Sequence, residues 1–264
     1  MFYILRQITG NLIYLLIQLF ATVKYWLFIY LSHPISYNSL MDISLIKTNL
    51  QHLAGNMGGR LFGVCRIDDL RDTFHFEIKE ISKSLNTAIS VGVPVSAAVL
   101  DTLIDRPNDL YKSHYRQINH VLNDIAFAVS SEIITLGYKA IPIPASQILK
   151  WKPMRAHLSH REIAYRAGLG WRGRNNLLVS EKFGSRIRLV TILTDLELEP
   201  DNPCQSDCGD CYACIAACPV GAIGENYEDF NLKTCYEKVS EFARPENIGT
   251  YICGLCLQVC GSKK

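Results

Sequence analysis

Cys208-Gly-Asp-Cys211-Tyr-Ala-Cys214-Ile-Ala-Ala-Cys218-Pro219 is the stretch on which the reading of this chain turns, and its spacing is C-x2-C-x2-C-x3-C-P. In such a run three thiolates hold one iron–sulfur cluster, while the fourth cysteine, carried away at the proline, serves a second cluster. A second ligand set should therefore lie downstream. Cys235 and Cys253-Gly-Leu-Cys256-Leu-Gln-Val-Cys260 supply it. Exchange of the fourth ligands puts one 4Fe-4S cluster on Cys208, Cys211, Cys214 and Cys260 and the other on Cys235, Cys253, Cys256 and Cys218. Gly261 follows Cys260 where proline is usual, which loosens that turn and leaves the ligand in place. Cys204 falls outside both sets, and Cys65, in an apolar run, reads as a small core residue.

Nine of the ten cysteines lie between Cys204 and Cys260. A disulfide framework belongs to small cysteine-dense domains in oxidising compartments, which a long cysteine-poor stretch ahead of the motif does not match. Structural zinc takes four ligands in two pairs, unlike this 2-2-3 run. Thiolate ligands select soft metals, and two clusters in one small module form a path for single electrons.

Composition is that of a globular chain, 48% hydrophobic and 20% charged, and 264 residues suit one core domain with a small cluster module. The division expected is an apolar segment at 1–40, an α/β (α+β) domain at 41–195 and a double-cluster domain at 196–264. The net charge of +2 hides an asymmetry: residues 150–190 carry ten Lys and Arg against two Glu, whereas residues 194–232 carry nine Asp and Glu and no cation. The acidic side suits an electron donor with a basic docking face, of ferredoxin or flavodoxin class. The basic 150–190 block suits an anionic substrate or a cofactor phosphate.

Residues 11–31 are long and apolar enough to span a bilayer, with Gln18 and Lys24 interrupting the run. Two readings stand side by side: a membrane helix with the cluster domain facing the cytoplasm, or an extension upstream of a true start at Met41. No twin-arginine export signal is present, so the cytoplasm is the expected compartment. From Asp42, Ile43, Ile46, Leu50, Leu53 and Ala54 share one helical face, which Gly55 to Gly59 close. Strands are expected at 61–67, 88–95, 138–143, 176–180 and 186–194, the last two flanking a hairpin at Glu181 to Ser185. A helix is expected near 75–85, a loop over 99–110, and a long helix through Ile118, Leu122, Ile125, Val129 and Ile133 to Gly137. Ser159-His-Arg-Glu162 has the form of a capping box. Neither a Walker loop nor a G-x-G-x-x-G after a strand occurs, which excludes those nucleotide-binding motifs.

Gly168-Leu-Gly-Trp-Arg172-Gly173-Arg174-Asn175-Asn176 is a turn rich in glycine and cations. Glycine lets backbone approach a ligand closely, and guanidinium groups pair with phosphate or carboxylate. Ser159, Arg172, Gly173, Arg174 and Asn175 are thus the candidate cofactor-binding residues. His157 and His160 read as capping or surface histidines.

Together these stretches resemble the epoxyqueuosine reductase family, which is related to cobalamin-dependent reductive dehalogenases. The resemblance rests on Ala88-Ile-Ser-Val-Gly-Val-Pro94, Ala164-Tyr-Arg-Ala-Gly-Leu-Gly-Trp-Arg-Gly-Arg-Asn175, Leu189-Val-Thr-Ile-Leu-Thr-Asp195 and the cysteine spacing, over about residues 42–260. It implies a nitroreductase-like domain that holds cobalamin beside a bacterial-ferredoxin-like double-cluster domain. The clusters would feed electrons to cobalt, and the reduced corrinoid would remove the epoxide oxygen of a modified base in tRNA. Family members carry a proton-donating aspartate in an Asp-Ser-Ala-Pro run; here the equivalent run is Ile141-Pro-Ile-Pro144, and isoleucine delivers no proton. In the sequence, His157 and His160 are the nearest alternative donors. The expectation is a reductase with slow or no turnover on epoxyqueuosine. The alternatives are a non-catalytic ferredoxin-like electron carrier and a corrinoid-binding accessory protein.

Overall fold

The structure, a computed structural model, describes residues 42–151 and 154–261, so the apolar run at 11–31 lies outside the described residues. Helix α1 (Ile43–Asn56) starts where the Asp42 carboxylate accepts from the Ser44 amide at 2.9 Å, and it buries Ile46, Leu50 and Ala54. Strand β1 (Leu61–Arg66) leads through the short helix α2 (Phe76–Ile81) to β2 (Thr87–Pro94), which pairs antiparallel with β1. The helix expected near 75–85 is thus shorter, and a 3-10 turn at Ser82–Ser84 completes it.

The region 99–110, expected as loop, is bounded by helix on both sides. One turn, α3 (Ala97–Leu100), runs into its first two residues, and the long helix α4 (Asp109–Thr135) already begins inside it. Asn108 is the reason: its side-chain oxygen accepts from the Tyr111 amide at 2.9 Å and caps α4. Gly137, at φ 91°, closes the helix in the left-handed conformation.

Strand β3 (Ala140–Ile143) is an edge strand, which is why Pro142, without an amide donor, fits there. After helix α5 (His160–Arg166), strand β4 (Ile187–Thr194) enters between β2 and β3. The four-stranded sheet has the order β1-β2-β4-β3 with every pairing antiparallel. Helices cover both faces, as expected of an α+β fold. Ile187, Leu189 and Leu193 share one core with Ile163, Ala164 and Ala167 of the α5 region. The alternate residues Val190 and Ile192 face the other way, under the buried stripe Ile118, Leu122, Ile125, Val129 and Ile133 of α4.

The hairpin at Glu181 to Ser185 is only partly as expected. Ser180 and Gly184 form one bridge, but Leu178–Val179 pairs with Trp171–Arg172 and β4 pairs with β2 and β3. The two flanking segments separate because β4 is claimed by the sheet.

Three short helices, α6 (Ala213–Ala216), α7 (Leu232–Phe242) and α8 (Leu255–Gln258), carry the cysteine-rich segment. This segment is tied down by polar contacts to backbone oxygens. Arg186 donates to Leu257 O at 3.2 Å and to Gln258 O, Lys112 donates to Ile248 O at 3.1 Å, and Gln258 donates to Leu103 O at 2.9 Å. From Asp42 onward the chain forms one compact unit. No helix among the described residues is long and apolar enough to cross a membrane.

Candidate functional site

Two turns of backbone bring the first three cysteines of the motif round one point, with the Cys211 amide donating to Cys208 O at 3.2 Å and Cys214 buried in α6. Burial pushes the Cys214 thiol up to about 11, and the neighbouring charges that add to this are those of Cys260, Cys208 and Cys211. Cys260 thus comes from the far end of the chain to stand beside the first three. Its sulfur accepts from the Ser185 amide at 3.3 Å.

The remaining cysteines gather in the same way. Burial pushes Cys235 up to about 11, with Cys253 and Cys218 as the neighbouring thiols. Burial also raises Cys256, on which Cys253, Cys235, Cys214 and Cys218 act. The Cys218 sulfur accepts from the Ala222 amide at 3.2 Å. Because Cys256 also feels Cys214, the two groups of thiols adjoin. No group of three or more His, Cys, Asp or Glu among the described residues converges tightly enough to hold a single metal ion. Cys65 is a core residue: its thiol faces Ile163 O at 3.7 Å and burial pushes it up to about 12.

A cavity of about 320 Å3 is lined by Cys218, Cys235, Cys253 and Cys256 together with Tyr111, Tyr115, Asn175 and Arg188. A larger one, about 730 Å3, lies over β4 and is lined by His75, Ala145, Ile148, Leu158, Ser159, His160 and Leu189. Arg161, Leu177, Ile187, Arg188 and Leu232 line both, so the two cavities adjoin along these side chains. Neither cavity has a carboxylate among its described lining residues.

The basic turn divides between several tasks. Ser159 lies on the larger cavity, and its hydroxyl accepts from the Glu162 amide at 3.3 Å. The reciprocal half of the capping box is replaced, because the Glu162 carboxylate takes Arg166 at 3.1 Å and Arg172 at 2.5 Å. Arg172 also lies over the Tyr165 ring at 4.3 Å. Arg174 points to the cysteine-rich segment: it donates to Cys211 O and Gly209 O, each at 2.9 Å, and to Glu225 O, and it covers the Tyr212 ring at 4.4 Å. Gly173 is required by close packing, since a Cβ there would meet Val179 Cγ2 at 2.4 Å. Asn175 is buried, donates to Ser185 Oγ at 3.0 Å and lines the smaller cavity.

His160 is half-buried. Its ring nitrogens are engaged by Thr191 Oγ1 at 2.8 Å and Pro144 O at 3.0 Å, and desolvation pushes it down to about 4. The ring is therefore neutral near pH 7, its one proton directed to a carbonyl. His157 stands with His75 beside Glu77 Oε2, at 3.4 and 3.6 Å.

The sequence reading left Arg188 and Tyr115 without a role. Arg188 donates to Asn119 Oδ1 at 3.0 Å and to the Tyr115 hydroxyl at 3.3 Å, and stacks over the Tyr115 ring at 4.2 Å. The alternation of Arg186 and Arg188 with Ile187 and Leu189 at the start of β4 was the available signal, since it puts both arginines on one side.

No family model matches the chain. The epoxyqueuosine reductase of Vibrio cholerae is 30% identical over 183 residues, which is 64% of this chain and 46% of that protein. The chain thus spans less than half the length of this curated relative. Among solved structures, an epoxyqueuosine reductase with an epoxyqueuosine-modified tRNA-Tyr stem loop matches with a TM-score of 0.59 and 20% identity, covering 83% of this chain and 65% of that one. A catabolic reductive dehalogenase in complex with 3-bromo-4-hydroxybenzoic acid matches with a TM-score of 0.65 and 18% identity, covering 83% and 32%. The chain is similar in sequence to epoxyqueuosine reductases over part of their length, and it shares its α+β fold with them and with reductive dehalogenases.

Proposed function

We propose that this chain is an iron–sulfur oxidoreductase of the epoxyqueuosine reductase kind. Two 4Fe-4S clusters, on Cys208, Cys211, Cys214 and Cys260 and on Cys218, Cys235, Cys253 and Cys256, carry single electrons toward a cofactor in the larger cavity. The observation that supports the reading is which thiols lie near enough to act on one another's ionisation: Cys260, Cys208 and Cys211 on Cys214, and Cys253, Cys235 and Cys218 on Cys256. The donor set fits: each group offers only soft sulfur, and thiols around a four-iron cube stand farther apart than those around one ion. The division into a cofactor domain at 41–195 and a cluster domain at 196–264 belongs to the same proposal.

The cofactor is proposed to be a corrinoid, on the fold shared with reductive dehalogenases. Bound there, it would supply a two-electron reduction assembled from single-electron deliveries. Ser159 and Arg161 offer polar groups on its wall, Leu158, Leu178 and Leu189 exclude water, and Arg188 stands between it and the second thiol group. The substrate is proposed to be anionic, tRNA in the first instance, because a fold relative binds a tRNA stem loop and residues 150–190 are basic. Reduced ferredoxin or flavodoxin at the acidic 194–232 side is the proposed donor, and the cytoplasm the proposed location. The lack of a carboxylate among the described lining residues of either cavity favours, as a second reading, an electron carrier that turns over no epoxide.

Anaerobic purification with cluster reconstitution tests both. The expected content is about eight iron and eight sulfide per chain, from two four-iron clusters, together with cobalt after incubation with a corrinoid. Clusters without retention of corrinoid or flavin would leave the carrier in front. A content near four iron would overturn the second cluster.

Arg174→Ala is expected to loosen the first cluster selectively. The substitution removes the guanidinium donations to Gly209, Cys211 and Glu225 carbonyls, and with them the cation beside the ligand loop. Iron release to a chelator should become biphasic, with half of the iron leaving several-fold faster than in the parent chain. Unchanged single-phase release would show that the loop holds without Arg174.

A further inference from the structure

The two groups of thiols stand in different fields of charge. Beside the first group both signs are present: Arg174 donates to Cys211 O and Gly209 O, Arg186 donates to Leu257 O, and the Asp207 carboxylate accepts from the Gly209 amide at 2.7 Å. The smaller cavity, which Cys218, Cys235, Cys253 and Cys256 line, is also lined by Lys238, Arg161 and Arg188 and by no carboxylate among the described residues. We propose that Lys238 is a redox-tuning residue, whose ammonium favours reduction of the second cluster over the first and so rests the electron beside the larger cavity. This inference rests on the two-cluster reading above.

Helix periodicity puts Lys238 at the thiols. It follows Cys235 by three residues on α7, so the two side chains share a helix face, and both line the smaller cavity. The ammonium is held in place there. The Lys238 side chain is 25% exposed, and its Nζ meets the Glu241 carboxylate at 3.0 Å and lies 5.0 Å from the Phe242 ring centroid. Burial raises the Cys253 thiol, and a hydrogen bond from the Leu255 backbone and the Lys238 charge oppose that rise. The remaining charges near this pair are Asp105, which feels Lys238, and Arg106, which feels Glu241; they pair with each other at 3.1 Å on the loop before α4 and so offset.

The sign follows from Coulomb's law. A four-iron cluster with four thiolates is an anion in either state, and reduction adds one negative charge. A fixed cation therefore stabilises the reduced state more and raises the midpoint potential, whereas a carboxylate lowers it. Lys238 lines the cavity and Glu241 does not, so the cation is the stronger influence of the two. Arg161 and Arg188 carry the same sign but line both cavities, and their charge falls on a cofactor in the larger one as well. Lys238 lines only the smaller of the two, which lets it set one cluster against the other. The step it biases moves one electron from the first cluster to the second, oxidising one and reducing the other with no bond broken, and the reductant is the proposed ferredoxin or flavodoxin.

Anaerobic redox titration of the full chain with both clusters, followed by electron paramagnetic resonance, tests the assignment. The parent should show two midpoint potentials. Lys238→Gln should keep about eight iron per chain while one potential falls, moving the spin of half-reduced protein about tenfold toward the first cluster, or about 59 mV for a one-electron couple. Lys238→Arg should restore the parent value. Glu241→Gln should move the same potential upward, an opposite shift that mere loosening of α7 does not give. In a Cys256→Ser background, which retains the first cluster alone, Lys238→Gln should leave the remaining potential in place. Unmoved potentials in Lys238→Gln, a common shift of both clusters, or a downward shift in Glu241→Gln overturns the role of Lys238 and leaves the two-cluster reading intact. A parent chain that holds about four iron, or none, overturns that reading and the role of Lys238 with it.

Discussion

Cys256→Ser is expected to remove one whole cluster, taking iron from about eight per chain to about four. Cys256 is the hub of the second thiol group: Cys253, Cys235 and Cys218 all act on it, and it also feels Cys214 of the first. A serine hydroxyl is a harder and far less acidic ligand than a thiol, so it does not take the vacated corner of an iron–sulfur cube. Ligation also supplies folding energy, and here it would join α7, which carries Cys235, to α8, which carries Cys256. The reduced variant should show one set of cluster signals by electron paramagnetic resonance where the parent shows two interacting sets. Electrons would then reach the first cluster and stop. Cys218→Ser should give the same product as Cys256→Ser, whereas Cys211→Ser and Cys260→Ser should lose the other cluster. Cys204→Ser, outside both groups, should keep both. If Cys260→Ser and Cys256→Ser lose the same cluster, the exchange of fourth ligands is wrong.

That ligand grouping is proposed from spacing because covalent reach constrains it: residues three and four apart on one loop have few places to put their sulfurs. The strands at 61–66, 87–94 and 187–194 were legible for a related reason, since a strand buried on both faces is a nearly continuous apolar run. Their order in the sheet was not. β4 enters between β2 and β3, pairing with residues about a hundred positions earlier on one side and about fifty on the other, and nothing local in these segments records that choice. The same long-range claim on β4 explains why the hairpin at 181–185 closes with one bridge and no ladder.

Arginine direction was the least legible feature. Arg172 and Arg174 are two residues apart on one turn, yet one turns back to Glu162 and the other reaches forward to the ligand loop. A long flexible side chain reaches partners on either side, so composition locates the charge and the fold decides its use. Tyr115 was hidden differently. On a helix with a strong apolar stripe a tyrosine reads as core, and its contact with Arg188 appears only when β4 is placed beside it.

Gly184→Ala is expected to have an effect as large as losing a ligand, although Gly184 ligates nothing. Gly184 sits at φ 60°, and a Cβ there would stand 2.1 Å from Cys260 O and 2.5 Å from Gly261 O. Those are backbone atoms, so relief requires moving the segment that carries Cys260 and not a side-chain rotation. That segment is held by the Ser185 amide, which approaches Cys260 O at 3.2 Å and the Cys260 sulfur at 3.3 Å. Pushing it outward withdraws the fourth thiol from Cys208, Cys211 and Cys214. Gly137→Ala separates the two contributions. Gly137 is also left-handed, at φ 91°, but a Cβ there meets nothing within 4 Å. It should therefore cost only the conformational penalty, about 1–2 kcal/mol, lowering the melting temperature with the iron content unchanged. Gly184→Ala should lower the melting temperature further and release about half of the iron, on the 4Fe-4S stoichiometry. Full iron retention in Gly184→Ala would mean that the first cluster holds Cys260 in place without the hairpin, and that the contacts of Arg174, Arg186, Lys112 and Gln258 suffice to join the two parts of the fold.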